Sequence, residues 1–168
     1  MTRWRIFSAV AITAFAADQA TKLWARHTLP VDPGGRAIPV PVIPGYFDFV
    51  LAYNKGSAFS LVSGSAGWMR VGLALVALLG LAAILWIVAR ARDEDRLLAV
   101  TLGLMASGTL GNLVDRVIHG RVTDFIFWHW HEHTWPIFNV ADACLSVSVG
   151  LFLIHAWRLR SRTRQSDL

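Results

Sequence analysis

Two aspartates, Asp124 and Asp142, stand out because they lie in otherwise apolar surroundings. Asp142 opens an apolar run that extends to Trp157, so its carboxyl group is held at or near hydrocarbon depth. A carboxylate at that depth is costly unless it is paired, which makes it a candidate functional group. Two carboxyl groups brought together share one proton, as activation of water in an aspartic protease requires. The two residues therefore predict hydrolytic chemistry.

The composition is that of an integral membrane protein. Of the 168 residues, 55% are hydrophobic and 16% are charged, and the mean hydropathy is +0.48. A soluble domain carries about 25% charged residues. The net charge of +5 comes from Lys and Arg residues that flank the apolar runs. These residues indicate membrane topology, and we expect no nucleic-acid partner.

Apolar runs at residues 6–25, 71–89, 97–114 and 138–157 predict four transmembrane helices. The first run is interrupted by Asp18, Gln19 and Lys22. An alternative for it is a cleaved signal peptide, with a basic start and an A-x-A pattern at 14–16. We favour a retained helix, because apolar character resumes after Asp18. The predicted fold is thus an all-α membrane protein, one domain over residues 1–168.

Basic residues are concentrated beside both ends of the chain and between the second and third runs. The positive-inside rule then predicts that both termini are cytoplasmic and that loops 27–68 and 115–137 face outward. In the first loop, prolines and β-branched residues at 38–44 and aromatic residues at 47–53 predict one or two short strands. The fold therefore includes a small β-containing region on the outer face, where Asp124 and Asp142 also lie.

Further polar residues share helix faces near these aspartates. Asn112 and Arg116 are four residues apart, with Asp115 beside them, and Asn139 is three residues before Asp142. The first group either ends a helix at the interface or orients a carboxylate or the substrate backbone. The second group also fits an ordinary helix N-terminus, where Asn and Asp are favoured. Both alternatives remain open on sequence alone.

Two patterns are better explained by structure than by chemistry. Asp18 and Lys22 are four residues apart, so they can pair and make an intramembrane charge tolerable. Gly103, Ser107 and Gly111 line one helix face and predict close helix packing in lipid.

Three other features are weak candidates for a site. His129, His131 and His133 would lie on one side of an extended segment, but no zinc signature is present and a wet interfacial loop is favoured. The serine–glycine segment 63–67 has no evident base partner. Cys144 lies inside an apolar run and fits a small core residue.

Five motifs, taken in order, resemble those of bacterial lipoprotein signal peptidase, also called signal peptidase II. The likeness covers nearly the whole chain. Each motif alone is modest evidence, and the set is specific. They are DQATK at 18–22, NKGSAF at 54–59, GNLVDR at 111–116, GRVTDFI at 120–126 and FNVADA at 138–143. The chain differs from the residues usual in that family at Lys55, Ser57, Thr123 and Ala143. These differences affect the expected fine contacts with substrate and not the expected chemistry.

The resemblance implies that Asp124 and Asp142 are the catalytic pair. The resemblance also implies that the family's supporting polar residues correspond to Asp18, Lys22, Asn54, Asn112, Arg116 and Asn139. From the residues themselves we add three candidates: Asp115 in the polar group, Gly56 where substrate backbone can approach, and Phe59 as an apolar contact for lipid.

By the same resemblance, the protein is expected to be a membrane aspartic endopeptidase of the bacterial inner membrane. It would cut lipid-modified prolipoproteins just before the lipidated cysteine, at the outer face. We expect membrane lipid as a further partner, a monomer, and no metal or cofactor. Two rival hypotheses are a four-helix transporter or sensor with Asp18 and Lys22 as an ion relay, and a structural membrane subunit.

Overall fold

The computed structural model describes residues 2–56 and 66–166. In chain order its elements are α1 (Thr2–Thr28), β1 (Val40–Ile43), β2 (Phe47–Asn54), α2 (Ala66–Arg90), α3 (Arg96–His119), β3 (Val122–Trp130), β4 (His133–Thr134) and α4 (Val140–Ser166).

Helix α3 is the centre of the bundle and packs against α1, α2 and α4. Small residues permit the close approach. A Cβ atom on Gly103 would lie 2.9 Å from the backbone oxygen of Phe7, and one on Gly108 would lie 2.5 Å from that of Ala141. Gly111 is equally crowded, against the Asp18 carboxylate. The predicted packing role of Gly103 and Gly111 is confirmed.

Both ends of α3 are capped. Asp95 accepts a hydrogen bond from the backbone N–H of Leu98, at 3.4 Å. At the other end Gly120 adopts φ 68°, and its N–H donates to the carbonyl of Arg116. A left-handed residue ends a helix, and glycine adopts that conformation without steric cost. The helix thus runs five residues beyond the expected end at 114, and Asp115 lies on it instead of in the loop 115–137.

A four-stranded antiparallel sheet in the order β1-β2-β3-β4 joins the two loops. The strands predicted at 38–44 and 47–53 are confirmed as β1 and β2. Strands β3 and β4 were not predicted. In the central pairing Ala52 of β2 is opposite Asp124 of β3, and Asn54 is opposite Val122. Pairing with β2 therefore fixes the backbone position of Asp124.

Within the described residues, three helices are long and apolar enough to cross a membrane: Val71–Arg90, Arg96–His119 and Val140–Ser161. Four were expected. Helix α1 has 27 residues, a length of about 40 Å. Its polar residues, Asp18, Gln19 and Lys22 among them, lower its hydropathy, so its sequence alone does not mark it as a span.

Candidate active site

Asp124 lies near the start of β3 and is buried, with 3% of its surface exposed. Its Oδ1 atom accepts a hydrogen bond of 2.6 Å from Nδ2 of Asn139. The side chain of Asn54, at the end of the neighbouring strand, is also hydrogen-bonded to it. Strand β3 therefore directs this carboxyl group toward Asn139, which immediately precedes α4.

Asp142 lies in the first turn of α4 and is partly exposed. Its Oδ1 accepts from Nδ2 of Asn112 at 2.8 Å, and its Oδ2 from the backbone N–H of Asn139 at 3.3 Å. The side-chain oxygen of Asn139 in turn accepts from the backbone N–H of Asp142, at 3.0 Å. This reciprocal pair is a capping box, which satisfies amides at the helix start. Asn139 is thus the N-cap of α4.

Asn139 also connects the two carboxyl groups. Besides its bond to Asp124, its Nδ2 donates to Oδ1 of Asn112 at 3.1 Å, and Asn112 donates to Asp142. Both asparagines are buried. Two predicted residues, Asn112 and Asn139, therefore hold the two predicted aspartates in one hydrogen-bonded group.

The electrostatics of this group raise the pKa of Asp124 to about 6. Burial is the largest cause and the negative charge of Asp142 is the second. Hydrogen bonds from Asn139 and Asn54, and the positive charge of Lys22, act in the opposite direction. A carboxyl group that is buried beside another carboxylate keeps its proton to higher pH. Burial and the neighbouring carboxylate therefore favour the protonated form of Asp124.

A buried ion cluster lies behind the two asparagines. The Nζ atom of Lys22 is 2.9 Å from Asp18, 3.8 Å from Asp115 and 3.0 Å from Oδ1 of Asn112. All three charged side chains are at most 1% exposed. The predicted pairing of Asp18 with Lys22 is confirmed. Lys22 thus holds the Oδ1 atom of Asn112, while the Nδ2 atom of the same side chain binds Asp142.

Asp18 also fixes the start of α4, since its Oδ1 accepts from the backbone N–H of Ala141 at 2.8 Å. Gln19 donates to the other oxygen of Asp18, at 3.0 Å. Carboxylates are stabilised at the positive end of a helix. The contact requires Gly111 on α3, where any side chain would collide with the Asp18 carboxylate.

We expect Gly111→Ala to lower the melting temperature of the purified protein by several degrees. The added methyl group displaces Asp18 from the α4 N-terminus, and overpacking of this kind costs about 1–3 kcal/mol. Gly150→Ala on α4 is the matched control, because a Cβ there meets nothing within 4 Å. Equal melting temperatures for the two variants would contradict the proposed contact.

Asp115 connects the helices to the sheet. One of its oxygens accepts from the backbone N–H of Thr123 at 2.8 Å, and the other lies 3.3 Å from Nη1 of Arg26. Arg26 also donates to the Thr123 hydroxyl, at 2.9 Å. Because Thr123 immediately precedes Asp124 in β3, these contacts set the position of the catalytic candidate. Arg26 and Thr123 were missed; Arg26 continues the i, i+4 row of Asp18 and Lys22.

Arg116 and the segment after β2 were also predicted to lie here. Arg116 is partly buried, donates to the carbonyl of Asn112 at 3.3 Å, and interacts electrostatically with Asp142 and Asp124. Gly56 adopts φ 90° and donates its N–H to Oδ1 of Asn54 at 2.8 Å. Its positive φ explains why glycine is needed there.

Phe59 lies outside the described residues, as does most of the serine–glycine segment 63–67.

The three histidines do not line one side of an extended segment. His131 has φ 51° and lies in the turn between β3 and β4, so the segment is a hairpin instead of one extended strand. His129 on β3 lies 3.1 Å from Asp48 of β2, and His133 lies on β4 beside Trp130. Within residues 2–56 and 66–166, no three His, Cys, Asp or Glu side chains are grouped to hold a metal ion.

Comparison with known proteins agrees with this geometry. A family model described as Signal peptidase (SPase) II matches residues 10–158. The chain belongs to the signal peptidase II family. A relative from Geobacter metallireducens, a lipoprotein signal peptidase, is 40% identical over 97% of this chain and 96% of its own. One from Xanthomonas campestris is 38% identical over 89% and 86%.

Two solved structures of bacterial membrane enzymes superpose with a TM-score of 0.77 and 27% identity. They cover 92% and 88% of this chain, and 88% and 90% of their own. This signal peptidase II family member is therefore an integral membrane peptidase, and the family assigns it to the aspartic type. The rival transporter and structural-subunit hypotheses are set aside.

Proposed function

We propose that this peptidase removes the signal peptide of lipid-modified prolipoproteins by cutting just before the lipidated cysteine. Asp124 and Asp142 activate the water that attacks the scissile bond. The observation that carries the proposal is that Asn139 binds one carboxyl group through its side chain and the other through its backbone. The substrate class is supported by relatives named lipoprotein signal peptidase.

In this mechanism Asp142 is the general base and Asp124 is the acid. Asp142 is partly exposed, so water can reach it, and the amides of Asn112 and Asn139 stabilise its charge. Asp124 keeps its proton and polarises the scissile carbonyl. Asp142 takes a proton from water as the hydroxyl oxygen bonds to the carbonyl carbon. That proton then passes to the leaving amine as the C–N bond breaks.

Recognition of lipid is assigned to an apolar groove beside the dyad, with a volume of about 690 Å³. Its walls come from the sheet and from the start of α4, and Ala143 and Phe138 flank Asp142 and Asn139 in sequence. Acyl chains in this groove would therefore start next to the scissile bond. The groove is lined by Ile43, Tyr46, Phe47, Ile126, Trp128, Phe138 and Ala143.

In the membrane we propose four spans, with α1 as the fourth. Its length of about 40 Å suffices to cross, and its buried charges Asp18 and Lys22 neutralise each other. The distribution of Lys and Arg favours cytoplasmic termini. The dyad then acts at the outer face of the bacterial inner membrane, with the aromatic sheet at the interface.

The pKa of Asp124 predicts the pH dependence of activity. We expect kcat/KM to fall about tenfold per pH unit as the pH rises above about 6, because the acid loses its proton. The same raised pKa contributes stability at low pH that is lost as the pH rises through about 6. A profile from pH 5 to 8, with circular dichroism to monitor folding, checks this. A flat profile would contradict Asp124 as the acid.

Asn112→Ala and Arg116→Ala are expected to reduce kcat/KM by roughly 10- to 100-fold, because misplacement of about 1 Å costs on that order. Their loss of stability, measured as the melting temperature, should be smaller than their loss of activity. Arg121→Ala is the matched control, since Arg121 stacks on Tyr53 outside the dyad. Equal losses of folded protein and of activity would show that the two residues only stabilise the fold.

The function is tested by incubating the purified protein with a diacylglyceryl-modified prolipoprotein and measuring the products by mass spectrometry. We expect a single cut immediately before the lipidated cysteine. Cleavage at another position, or no cleavage by folded protein, would overturn the proposed function.

A further inference from the structure

A cavity separate from the apolar groove lies at the opposite end of α3 from the dyad. Arg96 begins α3 and Asn112 is sixteen residues further on, so about 24 Å of helix separates the two ends. The cavity has a volume of about 390 Å³ and lies between the α2–α3 turn and α4. Basic and apolar side chains share its walls, among them Arg92, Arg96, Arg158, His155, Leu97 and Leu159.

The acidic residues of this cavity already have partners. Glu94 lies 3.5 Å from Arg92. Asp95 lies 3.4 Å from Nδ1 of the buried His155 and also caps α3.

Two arginines are left without such a partner. The ion pairs described at this end of the bundle are Arg3–Asp93, Arg92–Glu94 and His155–Asp95, and in the described part of the chain neither Arg96 nor Arg158 belongs to one. Two guanidinium groups on the wall of one cavity are therefore available to an anion.

The helix dipole adds to this positive charge. The first turn of α3 contains no acidic residue and begins with Arg96. The N-terminus of a helix is itself partly positive, and the Asp95 carboxylate that caps α3 offsets only part of the positive charge that Arg96 and Arg158 add there. Guanidinium groups bind phosphate oxygens in bidentate geometry. The charge pattern thus fits a phosphate group.

We propose that this cavity binds the head group of an anionic phospholipid. Both α3 and α4 belong to the membrane spans, so the cavity lies where they leave the hydrocarbon. Leu97 and Leu159 form an apolar side of the cavity that acyl chains can contact. A free phosphate has no apolar part that would bind there. Basic pockets between transmembrane helices bind anionic head groups in this way.

The test is titration of phosphatidylglycerol into the detergent-purified full-length protein, with bound lipid counted by native mass spectrometry. The double variant Arg96→Gln, Arg158→Gln should bind about 30-fold more weakly, from the attraction of two basic side chains to anionic lipid. The control is Arg5→Gln, Arg160→Gln, which removes the same charge from exposed positions at the same end. It should retain wild-type binding.

Thermal unfolding gives a second readout that does not depend on proteolysis. Phosphatidylglycerol should raise the melting temperature of the wild type and of the control, but not that of the Arg96, Arg158 variant. Phosphatidylcholine and inorganic phosphate should have no such effect. Equal binding by the two double variants would overturn the proposal, and so would equal stabilisation by phosphatidylcholine or by phosphate alone.

Discussion

Asp124→Asn and Asp142→Asn are each expected to abolish cleavage of a lipidated precursor, lowering kcat at least ~1000-fold, within the range of general acid–base catalysis. The dyad requires one ionised and one protonated carboxyl group, and an amide provides neither. Because asparagine has nearly the same shape as aspartate, its side-chain oxygen can accept the hydrogen bond that Asn139 or Asn112 donates to the carboxylate. Both variants should therefore remain folded and inserted.

Asp48→Asn is the matched control for this experiment. Asp48 is a partly buried carboxylate of the same sheet, but it pairs with His129 instead of the dyad. Its variant should retain near wild-type turnover. Substantial cleavage by either dyad variant would remove the catalytic assignment, even if the family membership of the chain is unaffected.

The second large effect concerns the lipid on the substrate. We expect the unlipidated precursor to be cut at least ~100-fold less efficiently than the lipidated one, judged by kcat/KM. Each buried CH₂ group contributes roughly 0.8 kcal/mol, so two acyl chains contribute far more than one peptide side chain. Comparable kcat/KM values for both precursors would contradict recognition of the lipid and would indicate a general interfacial protease.

A pair of tryptophans can locate the lipid contact. Trp128 and Trp130 lie on β3 and are equally exposed, at 56% each, but only Trp128 lines the apolar groove, with an edge contact to Phe138. Trp128→Ala should weaken cleavage of the lipidated precursor without moving the cut, and Trp130→Ala should have a smaller effect. Equal effects would show that both residues act only as interfacial anchors.

Much of the site was predictable because local spacing fixes helix faces. Asp18 and Lys22 pair as their four-residue separation requires, and Asn139 lies beside Asp142 because one helix turn separates them. The roles that sequence left open were decided by contacts across the chain. Asn139 is the N-cap of α4, as the sequence allowed, and it also donates a hydrogen bond to Asp124 on β3, which the sequence did not indicate.

The sheet was less predictable because strand pairing is a long-range property. Residues 122–130 show no strict alternation of apolar and polar side chains, and their partner strand lies about seventy residues earlier. Without that strand, Thr123 gave no sign of contacting Asp115 and Arg26. The turn at His131 was missed for a similar reason, since a non-glycine residue with positive φ is uncommon.

The use of asparagine between the two carboxyl groups has a consequence for repeated turnover. In the proposed mechanism a proton moves between Asp142, water and the leaving amine in each cycle, and charges in the site change with it. Asn112 and Asn139 neither gain nor lose protons, so their hydrogen bonds hold the same atoms throughout. The enzyme can release its products and return to its resting geometry without rearranging the scaffold that aligns its acid and its base.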